Sequence, residues 1–134
     1  MPKALKDFVS EARERIQEID PDTAEEMREE RDDVMVLDVR EPDEFEMGHV
    51  PGAVNVPRGI LEAAADPDYK NPHPELSKAH DRPILLYCKT GGRSAMATAT
   101  LEAMGFKAVY NIAGGAAVWI GDDCDWEGDL KEDV

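Results

Sequence analysis

The chain has 134 residues, of which 30 are acidic and 15 basic, so its formal net charge is −15 at pH 7. A chain of this length predicts a single domain that folds without disulfides or metal staples. Its acidity repels nucleic acid and anionic membranes, so we expect neither as a partner, and an anionic substrate needs local positive groups. The first 20 residues carry scattered charges and no apolar stretch. We therefore expect no signal peptide or membrane span, and a cytoplasmic protein.

The first third of the chain predicts two helices and a buried strand. Apolar residues at helical spacing predict an amphipathic lead-in helix within residues 1–15. Residues 16–19 fit either a continuation of that helix or a short edge strand. Asp20 and Pro21 are typical of a helix start, with the aspartate as N-cap and the proline in the first turn. The apolar run over residues 34–39 then predicts a strand that is buried on both faces.

Charged side chains mark the end of this strand. Asp38 and Arg40 stand near a buried strand terminus, where charged groups need partners. They could bind a substrate, but we favour a role in holding loops together. Residues 42–48 predict a short helix that ends at glycine, and a turn with His49 follows. A lone histidine in such a turn favours a hydrogen bond that pins the loop over a catalytic role.

Residues 84–105 carry the strongest chemical signal in the chain. A short apolar run leads into Cys88, a basic residue, two glycines and an arginine, and then into a segment rich in Ala, Met and Leu. This order predicts a strand, a tight loop and a helix. Backbone N–H groups and the positive end of the helix dipole would converge on the sulfur, and Lys89 and Arg93 add positive charge. We therefore predict that Cys88 is a nucleophilic thiolate rather than an inert apolar filler.

The rest of the chain completes an alternating pattern. Residues 108–112 predict another strand, and residues 116–120 predict a short apolar helix. Residues 121–134 form an acidic tail that we expect to be loosely held. Its Cys124 lies between two aspartates, which disfavour a thiolate, so a resolving role is the weaker interpretation. Strands alternating with helices favour an α/β domain with a mainly parallel sheet, whose ligand site lies at the carboxyl ends of the strands, where Cys88 falls.

Four stretches of the sequence stand out as motifs: DVREPDEF (38–45), GHVPGAVNVP (48–57), YCKTGGRS (87–94) and GGAAVW (114–119). Together they resemble the successive signatures of single-domain rhodaneses, the thiosulfate and persulfide sulfurtransferases. They occur in the order and spacing of that family. The resemblance covers about residues 16–120, which we interpret as a rhodanese-like domain between the lead-in helix and the tail.

The resemblance implies a five-stranded, mainly parallel sheet with helices on both faces and residues 16–19 as its first strand. It also implies that Cys88 takes a sulfane sulfur as a persulfide, from thiosulfate or from a persulfide-bearing protein, and passes it to a thiol or to cyanide. No metal or organic cofactor is implied. By the same resemblance Asp38, Arg40 and His49 brace the fold and the rim of the site. The substrate-binding positions would be Lys89, Thr90, Gly91, Gly92, Arg93 and Ser94.

Three other interpretations compete with this one. Phosphatases and arsenate reductases share the fold, but five residues separate their cysteine from their arginine. Only four separate Cys88 from Arg93, and the smaller ring suits a sulfur atom better. A rhodanese-like binding or regulatory module is the second alternative, against which the retained cysteine and its basic neighbours argue. The third is a persulfide carrier for a biosynthetic protein, which keeps the chemistry and changes the partners.

Overall fold

The computed structural model describes residues 1–128, which contain six α-helices and seven strands. The helices are α1 (Leu5–Arg15), α2 (Pro21–Glu30), α3 (Pro42–Met47), α4 (Leu61–Ala65), α5 (Gly92–Ala103) and α6 (Gly115–Gly121). The strands are β1 (Gln17–Ile19), β2 (Met35–Asp38), β3 (Gly48–His49), β4 (Val54–Asn55), β5 (Pro83–Tyr87), β6 (Ala108–Ile112) and β7 (Glu127–Gly128). Short 3₁₀ turns occupy Arg58–Ile60 and Leu76–Lys78.

Five strands form one parallel sheet in the order β1-β6-β5-β2-β4. The expectation of a five-stranded parallel sheet is therefore confirmed, with β1 as the short first strand. The two central strands, β2 and β5, are buried along their whole length, as their uninterrupted apolar runs predict. Their register pairs Asp38 with Tyr87, so both strands end at the same edge of the sheet.

Two apolar clusters cover the two faces of the sheet. One packs α4 and α5 against side chains that include Leu37 and Leu86. The other packs α2 and α6 against the opposite face, where Leu85 and the buried Trp119 lie. Because successive strand residues point to opposite faces, Leu85 and Leu86 serve different clusters. The helices cover both faces of the sheet, as predicted. A site can therefore form at the edge where the strands end.

Local signals set several helix ends. Asp20 accepts a hydrogen bond from the Thr23 amide at 2.7 Å, as an N-cap does. After α5, Gly105 adopts φ +90°, the left-handed conformation that favours glycine. Gly48 ends α3 for a different reason, because its φ of 175° is extended backbone that any residue adopts. A Cβ atom at Gly48 would lie 2.6 Å from Nε1 of Trp126, so packing requires the glycine.

The expectation of a loosely held tail is wrong for residues 121–128. Trp126 packs against the apolar cluster of α2 and α6, and β7 pairs with β3 in a small antiparallel sheet. The backbone carbonyl of Asp125 accepts a hydrogen bond from Nε1 of Trp119 at 2.7 Å. The backbone N–H of Asp125 donates to Oε2 of Glu25 at 2.9 Å. One tryptophan and a few backbone hydrogen bonds therefore outweigh the acidic composition. The remainder of the predicted tail, residues 129–134, lies outside the described residues.

Candidate active site

The sulfur of Cys88 lies at the end of β5, enclosed by the loop that enters α5. Its side chain is buried, with 1% of its surface exposed. Sγ accepts hydrogen bonds from the Gly91 amide at 3.2 Å, the Ser94 amide at 3.4 Å and the Ser94 hydroxyl at 3.4 Å. Three donors directed at one sulfur form a cradle for negative charge. Of the loop amides that we expected around the sulfur, those of Gly91 and Ser94 bond to Sγ within residues 1–128.

Glycines allow two backbone segments to meet at this loop. Gly91 has φ +102° and precedes α5, while Gly115 has φ +63° and begins α6. The first amides of α6 bind the loop from behind: Ala116 N–H donates to the Cys88 carbonyl at 2.8 Å, and Ala117 N–H to the Lys89 carbonyl at 3.1 Å. A Cβ atom at Gly115 would lie 2.6 Å from that Cys88 carbonyl oxygen. The start of α6 therefore fixes the backbone that carries the sulfur.

The two basic residues of the loop occupy different environments. Lys89 is exposed, as is its neighbour Thr90. Arg93 is half-buried, and its guanidinium forms a two-point ion pair with Glu44, at 2.9 Å to Oε1 and 3.3 Å to Oε2. The hydrogen bond to Glu44 raises the pKa of Arg93, and the same bond lowers the pKa of Glu44. The positive charge of Arg93 is therefore partly compensated, whereas that of Lys89 faces solvent.

Asp38 and Arg40 form a buried ion pair beside the site. Nη2 of Arg40 lies 2.8 Å from Oδ2 of Asp38 and donates to the Gly48 carbonyl at 2.6 Å. The guanidinium also lies over the rings of Tyr87 and Trp126, at 5.6 Å and 5.5 Å from their centroids. Burial opposes the charge of Arg40, but the hydrogen bond to Asp38, the charge of that carboxylate and the contact with Tyr87 together outweigh burial and raise the arginine pKa. These contacts join β2, β3, β5 and the segment before β7, which is a bracing arrangement.

His49 is held by contacts within its own segment and by β7. Its Nδ1 lies 2.9 Å from the Phe45 carbonyl, to which it can donate. The imidazole stacks on the Phe45 ring with centroids 3.9 Å apart, and Nε2 lies 3.5 Å from the Glu127 carboxylate. The part of the chain that the structure describes gives no contact between His49 and the sulfur of Cys88. Its geometry matches a residue that pins a loop.

Two residues beside the loop did not stand out in the sequence. Glu44 lies 49 positions before Arg93, so no local pattern pairs them. Asn111 is fully buried in β6 and donates from Nδ2 to the Gly91 carbonyl at 3.2 Å and to Glu18 at 2.7 Å. The available signal for Asn111 was a polar amide within an otherwise apolar strand. Such residues need a hydrogen-bond partner, but the sequence does not identify it.

No helix within residues 1–128 is both long and apolar enough to span a membrane.

Comparison with known proteins adds independent information on the whole chain. A family model described as Rhodanese-like domain matches residues 20–122. The chloroplastic thiosulfate sulfurtransferase 16 of Arabidopsis thaliana is 41% identical over 86 residues, which are 62% of this chain and 71% of that protein. YrkF of Bacillus subtilis, named as a candidate sulfur carrier protein, is 38% identical over 86 residues, which are 64% of this chain but only 41% of YrkF.

A solved structure from Rhodopseudomonas palustris is similar to nearly the whole molecule. It covers 95% of this chain and 96% of its own, with a TM-score of 0.87 and 31% sequence identity. It is described as a protein of unknown function and a possible tyrosine phosphatase. The similarity therefore supports the fold over 95% of the chain, and it brings the phosphatase alternative back for testing.

Proposed function

The chain belongs to the family of rhodanese-like domains, and on that premise we propose that it transfers sulfane sulfur through a persulfide on Cys88. The observation that carries the proposal is the convergence of three hydrogen-bond donors on the buried Sγ. A thiolate carries its negative charge on Sγ, where these preorganised donors stabilise it, and the persulfide formed from it carries the charge on the outer sulfur bonded to Sγ. Relatives that are named sulfurtransferases support this general chemistry.

The first step loads the enzyme. The thiolate of Cys88 attacks the outer sulfur of thiosulfate, so a new S–S bond forms to Sγ. The bond between that outer sulfur and the sulfonate sulfur breaks, and its electron pair leaves with sulfite. The negative charge passes to the outer sulfur of the persulfide. The amides of Gly91 and Ser94, which donate to Sγ, then stabilise the charged group from the same loop.

The second step returns the cysteine to its starting state. A nucleophilic acceptor, cyanide or a thiolate, attacks the outer sulfur of the persulfide. Its bond to Sγ breaks, and the electron pair returns to Cys88 as a thiolate. The products are thiocyanate or a new persulfide, so sulfur moves without net oxidation and without a metal or an organic cofactor.

Capture of an anionic donor falls to the positive groups at the loop. In a molecule with a net charge of −15, long-range attraction does not help a dianion to bind. We propose that Lys89, whose charge faces solvent, makes the main contact with the sulfonate end. Arg93 contributes less directly, because its guanidinium is held by Glu44. Thr90 and Gly92 complete the rim, and Asp38, Arg40 and His49 support it from outside.

Phosphate-ester hydrolysis is the alternative that the similar Rhodopseudomonas structure raises. A phosphoryl group presents three oxygens, and an arginine in the loop has to bind them. Here Arg93 is already in a two-point pair with Glu44. The shorter spacing from Cys88 to Arg93 also gives a smaller ring. Both features favour a single sulfur atom over a tetrahedral oxyanion.

The decisive experiment is the intact mass of the protein after brief incubation with thiosulfate. We expect a species one sulfur atom heavier that disappears when cyanide is added. Cys88→Ser should not form the adduct, and Cys124→Ser, the matched control, should form it normally. p-Nitrophenyl phosphate, tested in parallel, should not be hydrolysed above background.

Each other outcome has a definite meaning. An adduct that persists in Cys88→Ser would refute the assignment of the nucleophile. An adduct with a persulfide-bearing thiol but not with thiosulfate would support the carrier alternative, in which a partner protein loads Cys88. Hydrolysis of the phosphate ester that depends on Cys88 would favour the phosphatase.

A further inference from the structure

A buried side chain connects the cysteine loop to the N-terminal part of the molecule. Nδ2 of Asn111 donates to the Gly91 carbonyl at 3.2 Å and to Oε2 of Glu18 at 2.7 Å. That same Glu18 oxygen lies 3.4 Å from Nε of Arg13 on α1. The chain of contacts therefore runs from α1 through β1 and β6 to the loop. Both partners of the Asn111 amide are acceptors only, which fixes its nitrogen toward them.

Gly91 is the residue of the loop that needs such a restraint. Its amide donates to Cys88 Sγ, and its φ of +102° is open to glycine because a Cβ atom is absent. The same freedom lets the backbone rotate and turn the N–H away from the sulfur. Two bonds oppose that rotation by holding the Gly91 carbonyl: one from the Ala95 amide at 3.0 Å and one from Asn111.

The other end of the Asn111 amide shows that stability alone does not explain this residue. Its Oδ1 is buried and has no hydrogen-bond partner within residues 1–128. A buried carbonyl oxygen without a partner destabilises a fold. The neighbouring positions of β6, Val109 and Ile112, are filled by apolar side chains at no such cost. The chain therefore has a destabilising amide side chain at position 111, where the amide nitrogen contacts the cysteine loop.

We propose that Asn111 is a positioning residue of the persulfide site: by holding the Gly91 carbonyl, it keeps the Gly91 N–H directed at the Cys88 sulfur. Glu18 fixes the amide of Asn111 from the opposite side. The inference rests on the proposed function in assigning Cys88 as the sulfur carrier. Its structural part, that Asn111 controls the donors around Sγ, is tested by the reactivity of the thiol itself.

The test measures the pH dependence of Cys88 alkylation by iodoacetamide, followed by intact mass in the full chain. A Cys124→Ser background removes the second thiol. In this background Asn111→Leu removes the Nδ2 donor without adding charge. We expect the midpoint of the alkylation profile to move upward by about one pH unit, a tenfold weaker preference for the thiolate, as the loss of one charge-assisted hydrogen bond predicts. The persulfide formed from thiosulfate should also decay faster.

A matched control separates positioning from a general loss of stability. Ile112→Val lies on the same strand, faces the apolar cluster of α2 and α6, and should lower the melting temperature without moving the alkylation midpoint. Glu18→Gln keeps an oxygen for Asn111 and should shift the midpoint by less than Asn111→Leu does. Asn111→Ser, which restores a small donor, should give a partial shift and serves if the leucine variant does not fold.

Two results would overturn the proposal. One is a midpoint in Asn111→Leu, or in Asn111→Ser where the leucine variant fails to fold, that equals the midpoint of the Cys124→Ser parent. The other is equal shifts in the asparagine variants and the control, which would make the effect one of stability. If the parent protein forms no persulfide from any donor, the proposed function fails, whereas the alkylation profiles still decide the role of Asn111.

Discussion

Cys88 and Cys124 differ in the groups that face the sulfur atom as well as in how deeply the sulfur is buried. Cys88 is the more buried of the two, yet three donors face its sulfur. Cys124 is partly exposed, but burial of its sulfur raises its pKa to about 11, and the carboxylates of Glu25 and Asp22 add to the effect. A sulfur becomes a usable nucleophile when the surrounding backbone offers donors, even where solvent is largely excluded.

The largest expected effect concerns Cys124 itself. A thiol with a pKa of about 11 is neutral below that pH, and the thiolate is the form that reacts. In the Cys88→Ser variant we therefore expect the alkylation rate of Cys124 to rise about tenfold per pH unit from pH 7 to pH 10, roughly a thousandfold in all.

The control for this measurement is the same variant unfolded in urea, where the rate should level off near pH 9, as for an ordinary thiol. A plateau below pH 9 in the folded protein would remove the contrast between the two cysteines.

The second prediction concerns the start of α6, which supports the backbone of Cys88. Gly115→Ala places a Cβ atom 2.6 Å from the Cys88 carbonyl oxygen, at a residue with φ +63°. The loop must shift, and displacement of the nucleophile by an ångström lowers catalysis by about a hundredfold. We expect this loss in kcat/KM for thiosulfate and cyanide. Gly121→Ala, in the same helix with open space around it, is the matched control and should retain activity.

The third prediction concerns the charge that faces an anionic donor. Lys89→Gln should lower kcat/KM for thiosulfate by about tenfold, the effect of one charge-assisted contact, and should change the rate with an uncharged organic trisulfide much less. Lys107→Gln removes an exposed lysine that pairs with Asp81 and controls for net charge. Equal losses with both donors would indicate that Lys89 shapes the loop without contacting the donor.

The smallest expected effect concerns the partner of Arg93. The pKa of Glu44 is lowered in the folded protein by its hydrogen bond to Arg93, so the pair stabilises the fold above the unfolded-state pKa of about 4.3 and loses that contribution as pH falls through the folded value. For this partly exposed pair, Glu44→Gln should cost about 0.5–1 kcal/mol of unfolding free energy at pH 7, and the cost should vanish once the pH is below the folded-state pKa of Glu44.

Urea unfolding at several pH values measures this effect. Glu62→Gln, which removes the exposed partner of Arg58, should cost less than Glu44→Gln at pH 7. A loss for Glu44→Gln that does not depend on pH would show that the carboxylate charge is not what holds Arg93.

The local patterns of the sequence were sufficient where neighbouring residues decide the outcome. The apolar run before Cys88 predicted β5, and the glycines and the Ala-rich segment after it predicted the loop and α5. Asp20 and Pro21 predicted the start of α2. Local patterns did not predict the structure of residues 121–128. Their acidic composition indicated a loose segment, whereas Trp126 packs against the core and β7 pairs with β3.

The site divides along the same line. The proposed nucleophile Cys88 and the loop around it follow from residues 84–105, because strand, turn and helix signals there are contiguous. The residues that contact the loop from outside do not follow from the sequence. Glu44 and Asn111 come from distant segments and meet the loop only after the sheet has formed. Arg93 illustrates the consequence: the sequence presents it as a free cation, and the fold pairs it with Glu44.

By itself the sequence therefore determined the fold class and the family and pointed to Cys88 as the proposed nucleophile, since each depends on short motifs whose geometry is local. Only the tertiary structure decided how that residue is supported. The parallel order β1-β6-β5 brings Glu18, Asn111 and the loop of Cys88 side by side, although they are far apart in the chain. A hydrogen bond needs its two atoms within about 3 Å, and that proximity arises from strand pairing rather than from spacing along the sequence.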